Sequence, residues 1–215
     1  MELYNKDTES EWQRIVTAVE RHRAAPYRLP ISSTMQAVLD PLVERLVREQ
    51  QSGKRLLLDA GCGTAYSTCL LAEHHPDMLV VGIDRSLVRL RKAPPLPANA
   101  LICRARLEEF WLLAHQAGIL FERTYLLYPN PYPKRWQLGR RWYGHPIFPT
   151  ILATTRSLEL RTNQQWYAHH FCIALAACSW HYRCMPHAGD QPLTPFERKY
   201  LARGELCWIV EAWQK

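Results

Sequence analysis

No stretch of roughly 18 apolar residues occurs in this 215-residue chain, so no membrane-crossing helix and no membrane partner are expected. Cys-x-x-Cys pairs are also missing. The seven cysteines are an odd number, and residues 1–14 are polar and charged rather than leader-like. Together these features favour a reducing, cytoplasmic setting over a disulfide-stapled secreted one. Neither an internal repeat nor a low-complexity block is present, which argues against a solenoid or a disordered tract. Acidic residues are outnumbered, 20 against 27 Lys and Arg, which leaves a formal charge of +7. That excess favours a polyanionic partner, with nucleic acid ahead of a membrane surface. What remains is a globular composition, 47% hydrophobic and 22% charged, long enough for one sizeable core.

The phosphate-binding pattern Gly-x-Gly-x-x-Gly is broken, because position 66 is Tyr. In its place stands an apolar run, Leu56 to Leu58, that ends in Asp59 and is followed by Gly61 and Gly63. A segment able to be helical then runs from about Tyr66. The pattern is a buried strand, a tight turn and a helix N-terminus. Glycines there let the backbone take positive φ and let a ligand come close. About 20 residues later, Val80-Val-Gly-Ile-Asp84 reads as a second strand ending in a carboxylate. An acid at that place can accept from both ribose hydroxyls of a nucleoside. Cys62, inside the turn, reads as a backbone-turn residue, since a nucleophile would need a base beside it.

The rest of the chain alternates. Trp12, Ile15, Val16 and Val19 fall at helical spacing within residues 1–23. Ser32 or Ser33 can cap a second helix whose apolar face is Met35, Val38, Leu39, Leu42, Val43, Leu46 and Val47. Pro41 either kinks that helix or begins another. Strands are expected at 55–59, 79–84, 101–103, 121–128, 157–162, 181–185 and near 207–213. Helices are expected at about 65–74, 86–92, 108–118, 146–155 and 164–179. Such alternation implies an α/β fold, a mostly parallel doubly wound sheet with helices on both faces. Residues 1–50 form a helical lead packing on the core, and residues 51–215 the main domain. Ligands of such sheets sit beyond the carboxyl ends of the strands. Asp59, Asp84, Asn130 and Asn163 all fall at or just after those ends.

The loop after the fourth strand, 129–146, is rich in Pro and Arg. Prolines at 129, 131 and 133 stiffen Tyr128-Pro-Asn-Pro-Tyr-Pro-Lys134 and present Asn130 over the cofactor end of the sheet. Lys134, Arg135, Arg140 and Arg141 come next, interleaved with Tyr132, Trp136, Trp142 and Tyr143. Cations suit phosphates and aromatic faces suit bases. His145, in the same loop, either meets RNA or lies on the loop surface. Trp111, on the helix near 107–113, reads as core. His169, His170, Cys172, Cys178, His181, Cys184 and His187 crowd one region but lack zinc-like spacing, so no metal is expected.

Asp59-Ala-Gly61-Cys-Gly63 resembles motif I of class I S-adenosylmethionine-dependent methyltransferases. Adding the proline loop, the chain resembles the bacterial tRNA (guanine-N7)-methyltransferase family. That family typically has a Phe-Pro-Asp-Pro-Trp-Pro-Lys loop and a basic run closing in two arginines, which Tyr128 to Lys134 and Arg140-Arg141 match. Its threonine-aspartate pair and Tyr-Ala helix start fall on Thr162-Asn163 and Tyr167-Ala168. Its C-terminal Thr-x-Phe-Glu falls on Thr194 to Glu197, with Arg198 and Gly204 beyond. The departures are Ala65 for a third glycine, Asp59 for glutamate, Asn130 and Asn163 for acids, and Trp136-Gln137 for Arg-His. Arg106 stands for an aspartate, with Glu108 and Glu109 nearby.

The resemblance implies a Rossmann-like class I fold with a seven-stranded sheet, and S-adenosyl-L-methionine as cofactor. Asp59, Gly61, Gly63, Asp84, Arg85, Glu108 and Thr194 would bind it. Lys134, Arg135, Arg140 and Arg141 would bind tRNA or another structured RNA. Asn130, Asn163 and Glu197 would serve at the reacting centre of a monomer or homodimer. Guanine N7 carries a lone pair and no proton, so no general base is required, and positioning and electrostatics supply the rate. Asn130 then orients the acceptor rather than acting as a base. Asn-Pro-Tyr at 130–132 also partly matches the Asn-Pro-Pro-aromatic motif of enzymes that methylate exocyclic amines. Amine or small-molecule methylation, or a catalytically weakened RNA-binding relative, are the alternative readings.

Overall fold

A computed structural model describes residues 6–187, 189 and 191–214. Two helices lead, α1 (Lys6–Ala24) and α2 (Ser33–Gln51). Next come β1 (Arg55–Ala60), α3 (Tyr66–His74), β2 (Met78–Asp84), α4 (Leu87–Leu90), β3 (Ala100–Arg104), α5 (Leu107–Gln116) and β4 (Phe121–Leu127). Two 3₁₀ turns, 135–140 and 142–144, lie in the basic loop. The chain closes with α6 (Phe148–Ala153), β5 (Thr155–Thr162), α7 (Gln165–Ala177), β6 (His181–His187), α8 (Pro195–Ala202) and β7 (Cys207–Trp213).

The seven strands form one sheet in the order β3-β2-β1-β4-β5-β7-β6. β1 to β5 pair in parallel, and β7 runs antiparallel between β5 and β6. This is the mostly parallel seven-stranded sheet expected from the sequence. β1 and β2 are buried on both faces, which is why they read as near-continuous apolar runs. Alternate residues serve opposite layers. Leu56 and Leu58 join the larger core with Val81, Ile83, Phe110 and Phe171, while Leu57 packs with Leu71, Val80 and Tyr125 on the other side. Strand order reverses between β1 and β4, so the crevice beyond their carboxyl ends is the topological switch point.

The lead helices share this core: Ile15, Val19, Leu39 and Leu46 are buried within it. Pro41 lies inside a single α2. It is exposed, so its missing N–H falls on the solvent side, while Leu39 and Leu46 hold the helix down on either side. Ser32, not Ser33, is the cap; its Oγ accepts from Met35 N–H at 3.2 Å. Val38, expected on the apolar face, is 46% exposed. α4 is shorter at both ends than the expected 86–92 helix, because only Leu90 of it is buried. β5 starts earlier and β6 extends further than their apolar runs, continued by ladder pairing to neighbours. α8 is a helix that the apolar spacing does not announce. Its signal is present in the cap: Thr194 accepts from Glu197 N–H at 3.0 Å and Pro195 opens the first turn.

Candidate active site

β1 delivers the chain into the turn 61–65. Gly61 and Gly63 have φ of 86° and 59°, and no atom lies within 4 Å of where a Cβ would sit on either. The glycines therefore serve the left-handed backbone and leave open space above it. Backbone N–H groups of Gly61 and Cys62 both donate to Ile83 O, at 2.8 and 3.1 Å, which ties the turn to β2. Ala65 also has positive φ, 58°, a conformation that glycine would adopt without a Cβ penalty.

Asp84 ends β2 and is buried. Its Oδ2 accepts from Gly63 N–H at 3.0 Å; its Oδ1 accepts from Ser86 N–H at 2.7 Å and lies 3.2 Å from the Arg89 guanidinium. A carboxylate has about four acceptor sites, so one on Oδ2 is free, and a second is freed if the half-exposed Arg89 turns away. Asp59 is placed otherwise than expected. Its Oδ2 accepts from Ser67 Oγ at 2.6 Å and Thr68 Oγ1 at 2.7 Å, so it anchors the first turn of α3 behind the glycines and does not line the cleft. Burial pushes its carboxyl up to about 6 despite those two hydroxyls, with Asp84 adding to the rise.

Above these strand ends lies a cleft of about 840 Å³, within the range of roughly 300–1,000 Å³ usual for small-molecule sites. One wall is Ala60, Gly61, Asp84, Arg85 and Arg89; another is Ala105, Arg106, Leu107 and Glu108. The far wall is the proline loop with its C-terminal continuation: Tyr128 to Asn130, Tyr132, Gly139, Arg140, Trp142 and His145. An adenosyl group fits the residues present. Open space stands over the Gly61 turn, Asp84 has acceptor capacity for ribose hydroxyls, and Ala105 and Leu107 offer an apolar slot beside it. Arg106 and Glu108 face each other across 3.8 Å at its edge.

The proline loop is held in a strained form. Tyr128 and Tyr132 have φ of 51° and 46°, and each precedes a proline, where an extended conformation is preferred. Tyr128 N–H donates to Arg161 O at 2.8 Å, and its ring lies 5.6 Å from that of Tyr200. Burial pushes the Tyr128 phenol well above its ordinary range.

Arg141 corrects an expectation. It is 1% exposed, and its guanidinium donates to the carbonyls of Tyr132 (3.1 Å), Pro133 (3.4 Å) and Lys134 (3.2 Å). It also donates to Tyr143 Oη at 3.0 Å and Glu11 Oε1 at 3.4 Å, and lies 4.8 Å from the Trp166 ring. With its donors committed, Arg141 is the buried clamp of the loop and is not open to a phosphate. Lys134, Arg135 and Arg140 are exposed. Lys134 and Arg140 flank the exposed ring of Trp136 at 5.9 and 5.7 Å, and Arg135 donates to Ser10 Oγ.

Glu197, expected at the reacting centre, is fully buried and does not line the cleft. It accepts from Leu193 N–H at 2.6 Å and from Arg161 at 3.1 and 3.3 Å. Arg161 in turn meets Glu159, which meets Arg123, so alternating charges run across β4, β5 and α8. Burial works against the Arg161 charge, but Glu159 and Glu197 outweigh it and hold it above its ordinary value. Thr194 caps α8 and Asn163 donates to Glu205 at 3.2 Å; neither lines the cleft. Thus the cleft gathers Gly61, Asp84, Arg85, Glu108, Asn130 and Arg140. It leaves out Asp59, Gly63, Thr194, Asn163, Glu197, Lys134, Arg135 and Arg141. Arg89 joins the cleft unannounced by any motif; its signal is a basic residue five positions beyond Asp84, on the short helix α4. Among the described residues, no three His, Cys, Asp or Glu side chains converge as a metal site, and no helix is long and apolar enough to cross a membrane.

The 16S rRNA (adenine(1408)-N(1))-methyltransferase from Catenulisporales acidiphilia superposes with a TM-score of 0.57 over 87% of this chain and 95% of that one, at 17% identity. The fold is that of the class I methyltransferases. No family model matches the chain. Among curated proteins it is similar to the trans-aconitate 2-methyltransferase of Pseudomonas paraeruginosa, 35% identical over 86 residues. That match covers 40% of this chain and 31% of the relative, so the chain spans under a third of that relative's length. It is also similar to the tRNA (guanine-N(7)-)-methyltransferase of Mycolicibacterium gilvum, 26% identical over 241 residues, 94% of this chain and 90% of that one. The shorter match carries higher identity; the longer one includes the proline loop.

Proposed function

We propose that the chain is an S-adenosylmethionine-dependent methyltransferase acting on RNA, with guanine N7 in tRNA as the acceptor. The observation that carries this is the loop 128–134, whose Asn130 and Tyr132 line the same cleft as Asp84 and Gly61. Similarity to a tRNA (guanine-N(7)-)-methyltransferase over almost the whole chain supports it. So does the exposed run of Lys134, Arg135, Trp136 and Arg140 that leads into the cleft.

Gly61, Asp84, Arg85 and Glu108 would hold the cofactor, Asp84 through the ribose hydroxyls. When bound, it supplies an electrophilic methyl group on a sulfonium sulfur. The chain's own residues orient the acceptor. Asn130 presents one acceptor and two donors to a base edge. Tyr132 and Trp142 narrow the cleft around it and exclude water. Because N7 has a lone pair and no proton, the site needs no base, and none of the carboxylates other than Asp84 and Glu108 lines it. Alignment and water exclusion supply most of the rate.

A second reading has its own observation. Arg85, Arg89, Arg106 and Arg140 all line the cleft and suit a small polyanionic acid, as the trans-aconitate relatives would suggest. Labelled S-adenosylmethionine offered with bulk tRNA, and separately with small tricarboxylic acids, decides between them. Label in 7-methylguanosine supports the RNA reading; label only in the acid overturns it.

A further inference from the structure

His145 lies on the cleft wall just beyond the second 3₁₀ turn, beside Trp142. Its Nδ1 sits 3.1 Å from the backbone nitrogen of Ile147. A backbone N–H only donates, so Nδ1 is the lone-pair nitrogen and the ring proton of the neutral imidazole is on Nε2. Edge contacts with Tyr27 at 5.3 Å and Trp142 at 5.9 Å fix the ring. No described residue is paired with Nε2. Burial lowers the imidazole below its ordinary range; Glu108 opposes that and Arg106 adds to it. His22, itself lowered by burial, also faces it.

We propose that His145 is a specificity-determining residue of the acceptor half of the cleft, its Nε2–H donating to an exocyclic oxygen on the base being methylated. This rests on the RNA reading above. The guanine edge that carries N7 presents a second acceptor, O6, whereas the same edge of adenine presents an amine donor. A fixed donor beside the reacting nitrogen is satisfied by guanine and meets N–H with N–H at adenine. The same tautomer excludes His145 as a base. The lone pair that would take a proton is on Nδ1, committed to Ile147. In the cleft His145 is therefore a donor and not a proton acceptor.

His145→Phe keeps an aromatic ring without the donor, and His145→Gln keeps a donor. Labelled methyl transfer to bulk tRNA gives kcat and KM, nucleoside mass spectrometry gives the base, and calorimetry gives cofactor affinity. The Phe variant is expected to lose about tenfold in kcat/KM, with cofactor affinity and melting temperature unchanged and methyladenosine appearing beside 7-methylguanosine. The Gln variant regains most of the rate. In the wild type kcat/KM falls as the imidazole protonates, since an Nδ1 proton would oppose Ile147 N–H; the Gln variant lacks that acid limb. A Phe variant with full kcat/KM and intact guanine selectivity overturns the proposal. So does a loss that tracks melting temperature and is not recovered by Gln. A wild type that binds cofactor yet labels no RNA overturns the RNA reading itself, a different outcome from guanine methylation indifferent to residue 145.

Discussion

Replacing Arg141 by Ala separates two roles that sequence alone leaves merged. The native guanidinium makes three bonds to successive carbonyls of the proline loop, one to Tyr143 and one to Glu11. Its removal leaves those carbonyls and a partly buried carboxylate unpaired and empties a site that is 1% exposed. Breaking a buried charged network of this kind costs about 3–5 kcal/mol. For a chain of this length that is a fall in melting temperature of roughly 6–20 °C. Arg141→Lys restores the charge but not the fork and should recover less than half. Arg141 does not line the cleft, so cofactor affinity should stay within about twofold while the acceptor KM rises, because Tyr132 and Asn130 lose their support. Thermal unfolding, cofactor calorimetry and RNA-binding salt titrations read this out. An Arg141 that contacts phosphate directly gives another pattern: unchanged melting temperature, weaker RNA binding, and a salt slope smaller by about one. That pattern would refute the clamp.

Asp59→Asn is expected to stabilise the protein above pH 6. Burial pushes the carboxyl up to about 6 from an ordinary value of 3.8. The folded state therefore holds the proton more tightly than the unfolded one, and stability falls as pH rises between about 4 and 6. The full penalty is about 3 kcal/mol; asparagine keeps a carbonyl for Ser67 and Thr68 and should recover about 1–3 kcal/mol of it. Unfolding curves at pH 4 and 7.5 test this, and an unchanged pH dependence in the variant would sink it. Arg89→Met should tighten cofactor binding by about two- to fivefold, since it frees an Asp84 acceptor from a half-exposed pair worth about 0.2–1 kcal/mol; weaker binding would mean that Arg89 itself holds the cofactor. Asn130→Asp should keep or raise activity on guanine, because a carboxylate accepts more strongly from its N1–H and amine; loss of turnover with intact cofactor affinity argues for another base edge.

The mostly parallel sheet and most elements were legible because burial on both faces leaves long apolar runs in β1 and β2, and because Asp84 and the glycine turn occupy strand ends; the strand order was not. The substrate half was legible only as composition. Lys134, Arg135, Arg140 and Arg141 look alike in sequence. Only the fold shows that one of the four is turned inward, and nothing in the spacing distinguishes it. Glu197 likewise reads as a site acid. Its capping role is visible locally in Thr194-Pro-Phe-Glu197, but its ion pair with Arg161 joins α8 to β5 across 36 residues, which no local pattern announces. His145 depended on a single backbone N–H two residues on, which sequence cannot orient.

The Arg141–Glu11 pair also joins two segments of different origin in the fold. Glu11 belongs to α1, outside the sheet-forming units, and Arg135 reaches the same helix at Ser10. His170, on α7, shares Tyr143 and lies 4.0 Å from Glu11. The acceptor loop is thus not a portable cassette. Its shape is jointly encoded by the lead helix, the loop and α7, so a chimaera that carries 128–144 into another methyltransferase scaffold inherits the letters of the motif without its geometry. Substitutions in the lead helix and in the acceptor loop are for the same reason expected to be energetically coupled and not additive.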